Sequence, residues 1–201
     1  VQQIVGGGQT MNPSTEDILH AAEQVPAMDV YVLPNNKNIV MAAEQAAKLA
    51  RTSGVRRIHV VPTTTIPQGI SAMMAYDESA EIKDNMEAMM ASAEHVQSGS
   101  VTFAARDSDY DGHQIREGEL LALENGKVSF TGTDLGSVTA KITKDLTRED
   151  SQFVTLLYGE GVTEKEAADV EEAVRALLPE DMELTVAYGG QPVYYFLISV
   201  E

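Results

Sequence analysis

Apolar positions recur along the chain with two different periods, and the change between them divides it. In the first half, Ile18, Leu19, Ala22 and Val25 recur at helical spacing behind Ser14. Ser14 with Asp17 three residues on reads as a capping box, a carboxylate variant of the usual Glu or Gln. MDVYVLP then reads as a short strand ending at Pro34, and a helix bearing Ile39, Ala42, Ala43, Ala46 and Leu49 on one face follows NNKN and stops at Gly54. RRIHVVP predicts a second strand, and TTTIPQG opens a helix running through Ile70, Met73 and Met74. A further helix spans Ala80 to Val96, with Ile82, Met86, Met89, Met90, Ala93 and Val96 on one face; this Met-rich stripe reads as core packing.

The second half carries antiparallel signals. VTFAAR reads as a strand, and ELLALENGKVSFTG as a hairpin whose Asn125-Gly126 pair suits a type I′ turn. A helix is predicted over about 135–146, then a strand in QFVTLLYG. Thr163 and Glu166 form a second capping box before a helix with Ala167, Val170, Val174, Leu177 and Leu178 facing the core, ending at Pro179. MELTVAY and PVYYFLISV read as closing strands around GGQ. The fold class is therefore α/β: a parallel-sheet N-terminal half with crossover helices, plus a mixed α+β C-terminal subdomain. Ser98-Gly99-Ser100 marks the predicted boundary, giving 1–98 as a Rossmann-like subdomain and 99–201 as the mixed one.

Composition narrows the functional classes. A chain of 201 residues suits one domain or two small ones, and 43% hydrophobic content marks it as globular. With no Cys, there is neither a disulfide framework nor a thiolate metal site or cysteine nucleophile. A net charge of −17 repels nucleic acid and anionic lipid. The acids are spread along the chain, which reads as solubility before it reads as an acidic docking face. No apolar run approaches the roughly 20 residues of a membrane helix, and no signal peptide is visible, so a cytoplasmic location is expected.

Three polar loops fall at or near the carboxyl edge of the predicted parallel strands: GGGQTMNPST, PNNKN and PTTTIPQG. Each feeds a helix N-terminus, where free backbone N–H groups and the positive dipole end suit a carboxylate, a phosphate or an acidic partner loop. Asn, Ser and Thr also cap helices everywhere, so the ordinary reading stands beside the functional one.

Other motifs fail on inspection. DSDYDG, residues 107–112, opens like a calcium-binding loop, but the twelfth position is Gly118 rather than Glu, and an acidic turn is the better reading. Gly6-Gly7-Gly8 is not a dinucleotide fingerprint, there is no phosphate-binding G-x-x-x-x-G-K-[ST], and there is no G-x-S-x-G. His20, His59, His95 and His113 lack ligand spacing, and no pair of carboxylates stands out as acid and base. The residues alone point to a binding module before an enzyme.

Four blocks, GGGQTMNPSTEDIL, VLPNNKNIVMAAEQAA, VVPTTTIPQGISAM and the closing GGQPVYYFLISVE, resemble in this order the C-terminal domain of the FakA-type subunit of fatty acid kinase, the YloV or dihydroxyacetone kinase-like family. The resemblance runs from Val1 to Glu201, implies a fold of the DegV and dihydroxyacetone kinase (DhaK) type, and makes the chain the end of a longer one. It implies that ATP and magnesium are held by a separate kinase domain through a run like P-D-G-D-T-G-x-N-M, which is absent here, so no cofactor and no catalysis are expected of this chain by itself. It implies a DegV-type fatty acid-binding protein as partner, besides the remaining domains of the parent chain. In that scheme the complex makes an acyl phosphate for bacterial phospholipid synthesis, and this domain is the docking platform. The alternative is a small-molecule domain of DegV type that holds a lipid carboxylate or phosphate. Thr10, Ser14 and Thr15 sit where DegV-type proteins hold the lipid carboxylate, with Gln9 and Asn12 in the same loop. Asn35, Asn36, Lys37, Asn38, Thr64, Gln68, Gly190 and Gln191 complete the expected partner or ligand residues. The histidine to which dihydroxyacetone kinases attach substrate covalently has no counterpart assigned among the four histidines.

Overall fold

The computed structural model describes residues 1–7, 11–110 and 113–201. They form two compact units, Val1–His95 and Val96–Glu201.

The first unit is a small three-layer α/β arrangement. Strands β1 (Asp29–Val32) and β2 (Arg57–Val60) pair in parallel, with Val30 opposite Ile58 and Tyr31 opposite His59. The crossover is α2 (Lys37–Ser53), capped by Asn36 and stopped by Gly54, whose φ of 70° lies in the left-handed region that ends helices. Helix α1 (Thr15–Gln24) packs on α2, and the predicted box is present, Ser14 and Asp17 each bonding the other's backbone. Strand alternation sends Val30, Val32, Ile58 and Val60 to the α1–α2 side. Tyr31, Leu33 and Val61 go to the opposite side, against α3 (Ile66–Met74) and α4 (Ile82–His95).

Two helix faces differ from the sequence pattern. The buried stripe of α2 is Ile39, Ala43, Ala46 and Ala50, and Leu49 points to solvent. Ala fits the close approach of helix and sheet where Leu would not. In α3 the buried residues are the small ones, Pro67, Gly69, Ser71 and Ala72, while Ile70, Met73 and Met74 are exposed. In α4, Met89 is core as expected, but Met90 is exposed.

The second unit is built on a six-stranded sheet of order β7-β6-β3-β10-β8-β9. Its strands are β3 (Gln97–Phe103), β6 (Leu120–Glu124), β7 (Lys127–Gly132), β8 (Phe153–Tyr158), β9 (Glu183–Tyr188) and β10 (Phe196–Val200). All neighbours are antiparallel except β8 and β9, which the crossover helix α6 (Glu164–Arg175) joins in parallel. Helices α5 (Leu135–Leu146) and α6 pack together over the sheet and close a core of Val101, Ile142, Leu156, Val174, Phe196 and Ile198. The last strand, β10, is fully buried between β3 and β8. Asn125 and Gly126 take φ of 50° and 78°, as a type I′ hairpin turn requires. Thr163 and Glu166 close the second capping box.

Ser98-Gly99-Ser100 lies inside β3, where a break between helix and strand was expected. A Cβ at Gly99 would come within 2.6 Å of Leu146, so the glycine lets α5 approach the sheet. Two short strands, β4 (Ser108–Tyr110) and β5 (His113–Ile115), pair in the acidic DSDYDG segment, of which Asp111 and Gly112 lie outside the described residues.

Candidate functional site

Parallel strands deliver their following loops to one edge, and here the loops after β1 and β2 are tied together there. Asn35 adopts φ 55°, a conformation Asn tolerates better than most residues, and this turns its side chain toward the second loop. Thr63 Oγ1 donates to Asn35 Oδ1 at 2.8 Å, and the Asn35 backbone N–H donates to Thr63 Oγ1 at 3.2 Å. Thr63 is 1% exposed, so its hydroxyl works in a dry environment. Gly69 lies directly under the Asn35 amide, and a Cβ there would collide with it.

Around this pair the N-termini of α2 and α3 are each capped. Asn36 Oδ1 accepts from the Asn38 N–H at 2.9 Å. Thr65 caps α3, its hydroxyl accepting from the Gln68 N–H at 3.3 Å. Gln68 Oε1 reaches back to accept from the Thr64 N–H at 2.8 Å and the Thr64 hydroxyl at 2.9 Å. Lys37 and Asn38 are exposed beside them. The structure thus brings together Asn35, Asn36, Lys37, Asn38, Thr64 and Gln68 on the two loops. It adds Thr63 and Thr65, which sequence reasoning passed over. The run Thr63-Thr64-Thr65 gave no hint of which hydroxyl turns inward.

The other expected residues stand apart from this pair. Ser14 spends its hydroxyl and backbone on Asp17, within its own helix cap. Asn12 is exposed and Thr15 half-buried at the start of α1; Gln9 and Thr10 lie outside the described residues. Gly190 and Gln191 belong to the second unit. There Gly190 takes φ 65°, and the Gln191 amide donates to the Leu157 carbonyl at 2.7 Å, which makes it a brace for the turn.

At the other end of the strand pair a charged clamp holds the register. Asp29 accepts from Arg57 at 2.7 and 2.5 Å and sits 2.8 Å from His59 Nε2. The Arg57 hydrogen bonds, with that of His59, hold the Asp29 carboxyl far below the usual carboxylate range. His59 packs 5.4 Å from Tyr31, whose other neighbour is Tyr76 at 5.5 Å; burial, then Tyr76, pushes the Tyr31 hydroxyl up. His59 is a packing residue of this clamp. Among the described residues no group of three or more His, Asp or Glu is placed to hold a metal ion, and no helix is long and apolar enough to cross a membrane.

The FakA-like C-terminal family profile, drawn from fatty acid kinase, matches residues 1–201. The chain belongs to the FakA-like C-terminal family of fatty acid kinase.

Relatives of this C-terminal family include an uncharacterised protein of Staphylococcus haemolyticus, 42% identical, and Protein YloV of Bacillus subtilis, 38% identical, each over 98% of this chain. The chain spans 35% of the length of either relative. Its fold is shared with the dihydroxyacetone kinase from C. freundii in complex with AMP-PNP and Mg2+ (TM-score 0.71, 14% identity, 94% of this chain and 41% of that one). It is also shared with the fatty acid kinase B3 protein of Streptococcus pneumoniae loaded with linoleic acid (TM-score 0.64, 13% identity, 94% and 76%). The DegV and dihydroxyacetone kinase-like architecture expected from the four sequence blocks is therefore the one observed.

Proposed function

We propose that this chain is the docking portion of a bacterial fatty acid kinase, acting in the cytoplasm. It binds a DegV-type fatty acid-binding protein, so that an ATP-binding domain of the longer parent protein phosphorylates the bound fatty acid to an acyl phosphate for phospholipid synthesis. ATP, magnesium and the phosphoryl-transfer step belong, in this reading, to that other domain. The observation that carries the proposal is the family match over all of residues 1–201. The loops joined by Asn35 and Thr63 offer exposed donors, Lys37 and Asn38 among them, at the edge where such folds meet ligands or partners.

The test is calorimetric titration of this chain with a fatty acid-loaded DegV-type protein and no ATP. Binding at micromolar Kd or tighter supports the docking role; no heat and no complex, with both proteins folded, removes it.

A second reading rests on the same pair. Asn35 and Thr63 bridge the N-termini of two helices, α2 and α3, a geometry suited to a lipid carboxylate or a phosphate. In this reading the domain keeps a small molecule at its loop edge. A thermal shift with added fatty acid or acyl phosphate that disappears in Thr63→Val supports it, and the absence of any shift in the native protein counts against it.

A further inference from the structure

Helix α3 is apolar on the side that faces water. Its sequence IPQGISAMM carries no charge, and Ile66, Ile70, Met73 and Met74 fall at i, i+4, i+7 and i+8, on one face. These four are 43, 38, 40 and 80% exposed, and Tyr76 just beyond them is 44% exposed. A surface helix ordinarily turns its large apolar residues inward. Here the inward positions are taken by Pro67, Gly69, Ser71 and Ala72, and Ser71 is fastened to Ser92 of α4 by a 2.7 Å hydrogen bond. The outward stripe is thus a contiguous patch built into the helix, unlike single exposed apolar residues, which need no explanation. Its N-terminal end begins at Thr65 and Gln68, so it continues the loop edge described above.

The surroundings of the patch state what can cover it. Asp77, Glu78 and Glu81 follow Tyr76 and are all exposed. No Lys or Arg occurs between Arg57 and Lys83, and Lys83 is itself 3.6 Å from Glu87. A membrane-surface helix carries basic residues beside its apolar face, and this one has acids. A second copy of the same chain would set acidic rim against acidic rim, which is repulsive. A patch of Ile and flexible Met with an acidic border is complementary to a protein surface of the opposite design.

We propose that the exposed face of α3, with the acidic corner after it, is the surface on which the partner protein docks, and that the partner presents an apolar patch bordered by Lys and Arg. The assignment rests on the docking reading above and locates its interface.

The experiment compares this chain with Ile70→Ser/Met73→Ser and with Glu78→Lys/Glu81→Lys, by calorimetric titration with a fatty acid-loaded DegV-type protein at low and high NaCl. All altered side chains face solvent, and an unchanged melting temperature verifies the fold of each variant. The expected result is at least a tenfold rise in Kd for each variant, with added salt weakening the native complex. Native binding that both variants retain overturns the α3 surface and leaves the docking reading standing. No native binding overturns both. Self-association of the native chain in sedimentation runs, abolished by Ile70→Ser/Met73→Ser, makes a second copy the occupant and also overturns the proposal.

Discussion

Thr63 and Asn35, twenty-eight positions apart, hold each other by a reciprocal pair of hydrogen bonds across the loops that follow the two parallel strands. One hydroxyl serves both directions, donating to the Asn35 side chain and accepting from its backbone. Thr63 is buried, so its replacement by Val keeps shape and removes both bonds, leaving Asn35 with a donor and an acceptor to satisfy. Thr63→Val should lower stability by about 1–3 kcal/mol in urea unfolding, and Thr63→Ser should recover most of it. A Thr63→Val protein as stable as the native one would mean that the two loops are held by something else.

Asp29 predicts an acid-sensitive step. Hydrogen bonds from Arg57 and His59 depress its folded-state pKa, so the unfolded chain binds the proton more readily. The stabilisation is fully present above the unfolded Asp value of about 3.9 and is lost as pH falls through the depressed folded value. Asp29→Asn should therefore be less stable than the native chain at neutral pH, by about 1 kcal/mol, because Arg57 is largely exposed and solvent screens the pair. That gap should narrow as pH is taken below about 4. Melting curves of both proteins across pH check this; a gap that stays constant or widens in acid would contradict the clamp.

Val193 takes φ 71°, where a β-branched side chain is strained, and the Tyr194 N–H closes a tight turn onto the Pro192 carbonyl at 2.8 Å. Val193→Gly relieves strain of about 1–3 kcal/mol against an entropic cost of about 0.5–1 kcal/mol for the added glycine. The expected net gain is about 1 kcal/mol in calorimetric or denaturant unfolding. A clear loss of stability would show that the side chain contributes more by packing than the turn costs. The same loop holds Gly190 and Gln191, and the Gln191 bond to the Leu157 carbonyl gives that residue a structural task independent of any partner.

The readable parts of the chain were those in which a few neighbouring residues decide the outcome. Ser14 with Asp17, Thr163 with Glu166 and Asn125-Gly126 each form a closed local device, and each stands where its spacing predicts. Leu49 and the face of α3 were misleading because periodicity says which residues share a face and not which face meets the sheet. That choice falls to the small residues, since Ala46 and Gly69 allow an approach that larger side chains prevent. The extension of β3 through Ser98-Gly99-Ser100 was hidden for a related reason. Glycine between serines reads as a break until Leu146 of α5 is placed over it. At the site, the polar loops were legible as a group. The buried position of Thr63 depends on contacts made far away in the chain.

Thr139 carries the last prediction. It lies on α5 with no exposed surface, and its hydroxyl has no hydrogen-bond partner among the described residues, while its backbone carbonyl accepts from Thr143 Oγ1 at 2.7 Å. A threonine in a helix ordinarily returns its hydroxyl to a carbonyl one turn back, as Thr143 does and Thr139 does not. Burying such a hydroxyl unpaired costs about 1–3 kcal/mol, and Val has nearly the same shape without the polar atom. Both residues are β-branched and lose similar rotamer freedom in a helix, so propensity does not decide the comparison. Thr139→Val should therefore raise stability by about 1 kcal/mol in urea unfolding, a gain rarely obtained by altering a fully buried position. Thr143→Val removes a satisfied bond and should bring no such gain. If Thr139→Val proves destabilising, the hydroxyl has a partner in solution, and a buried water beside α5 would be the group to look for.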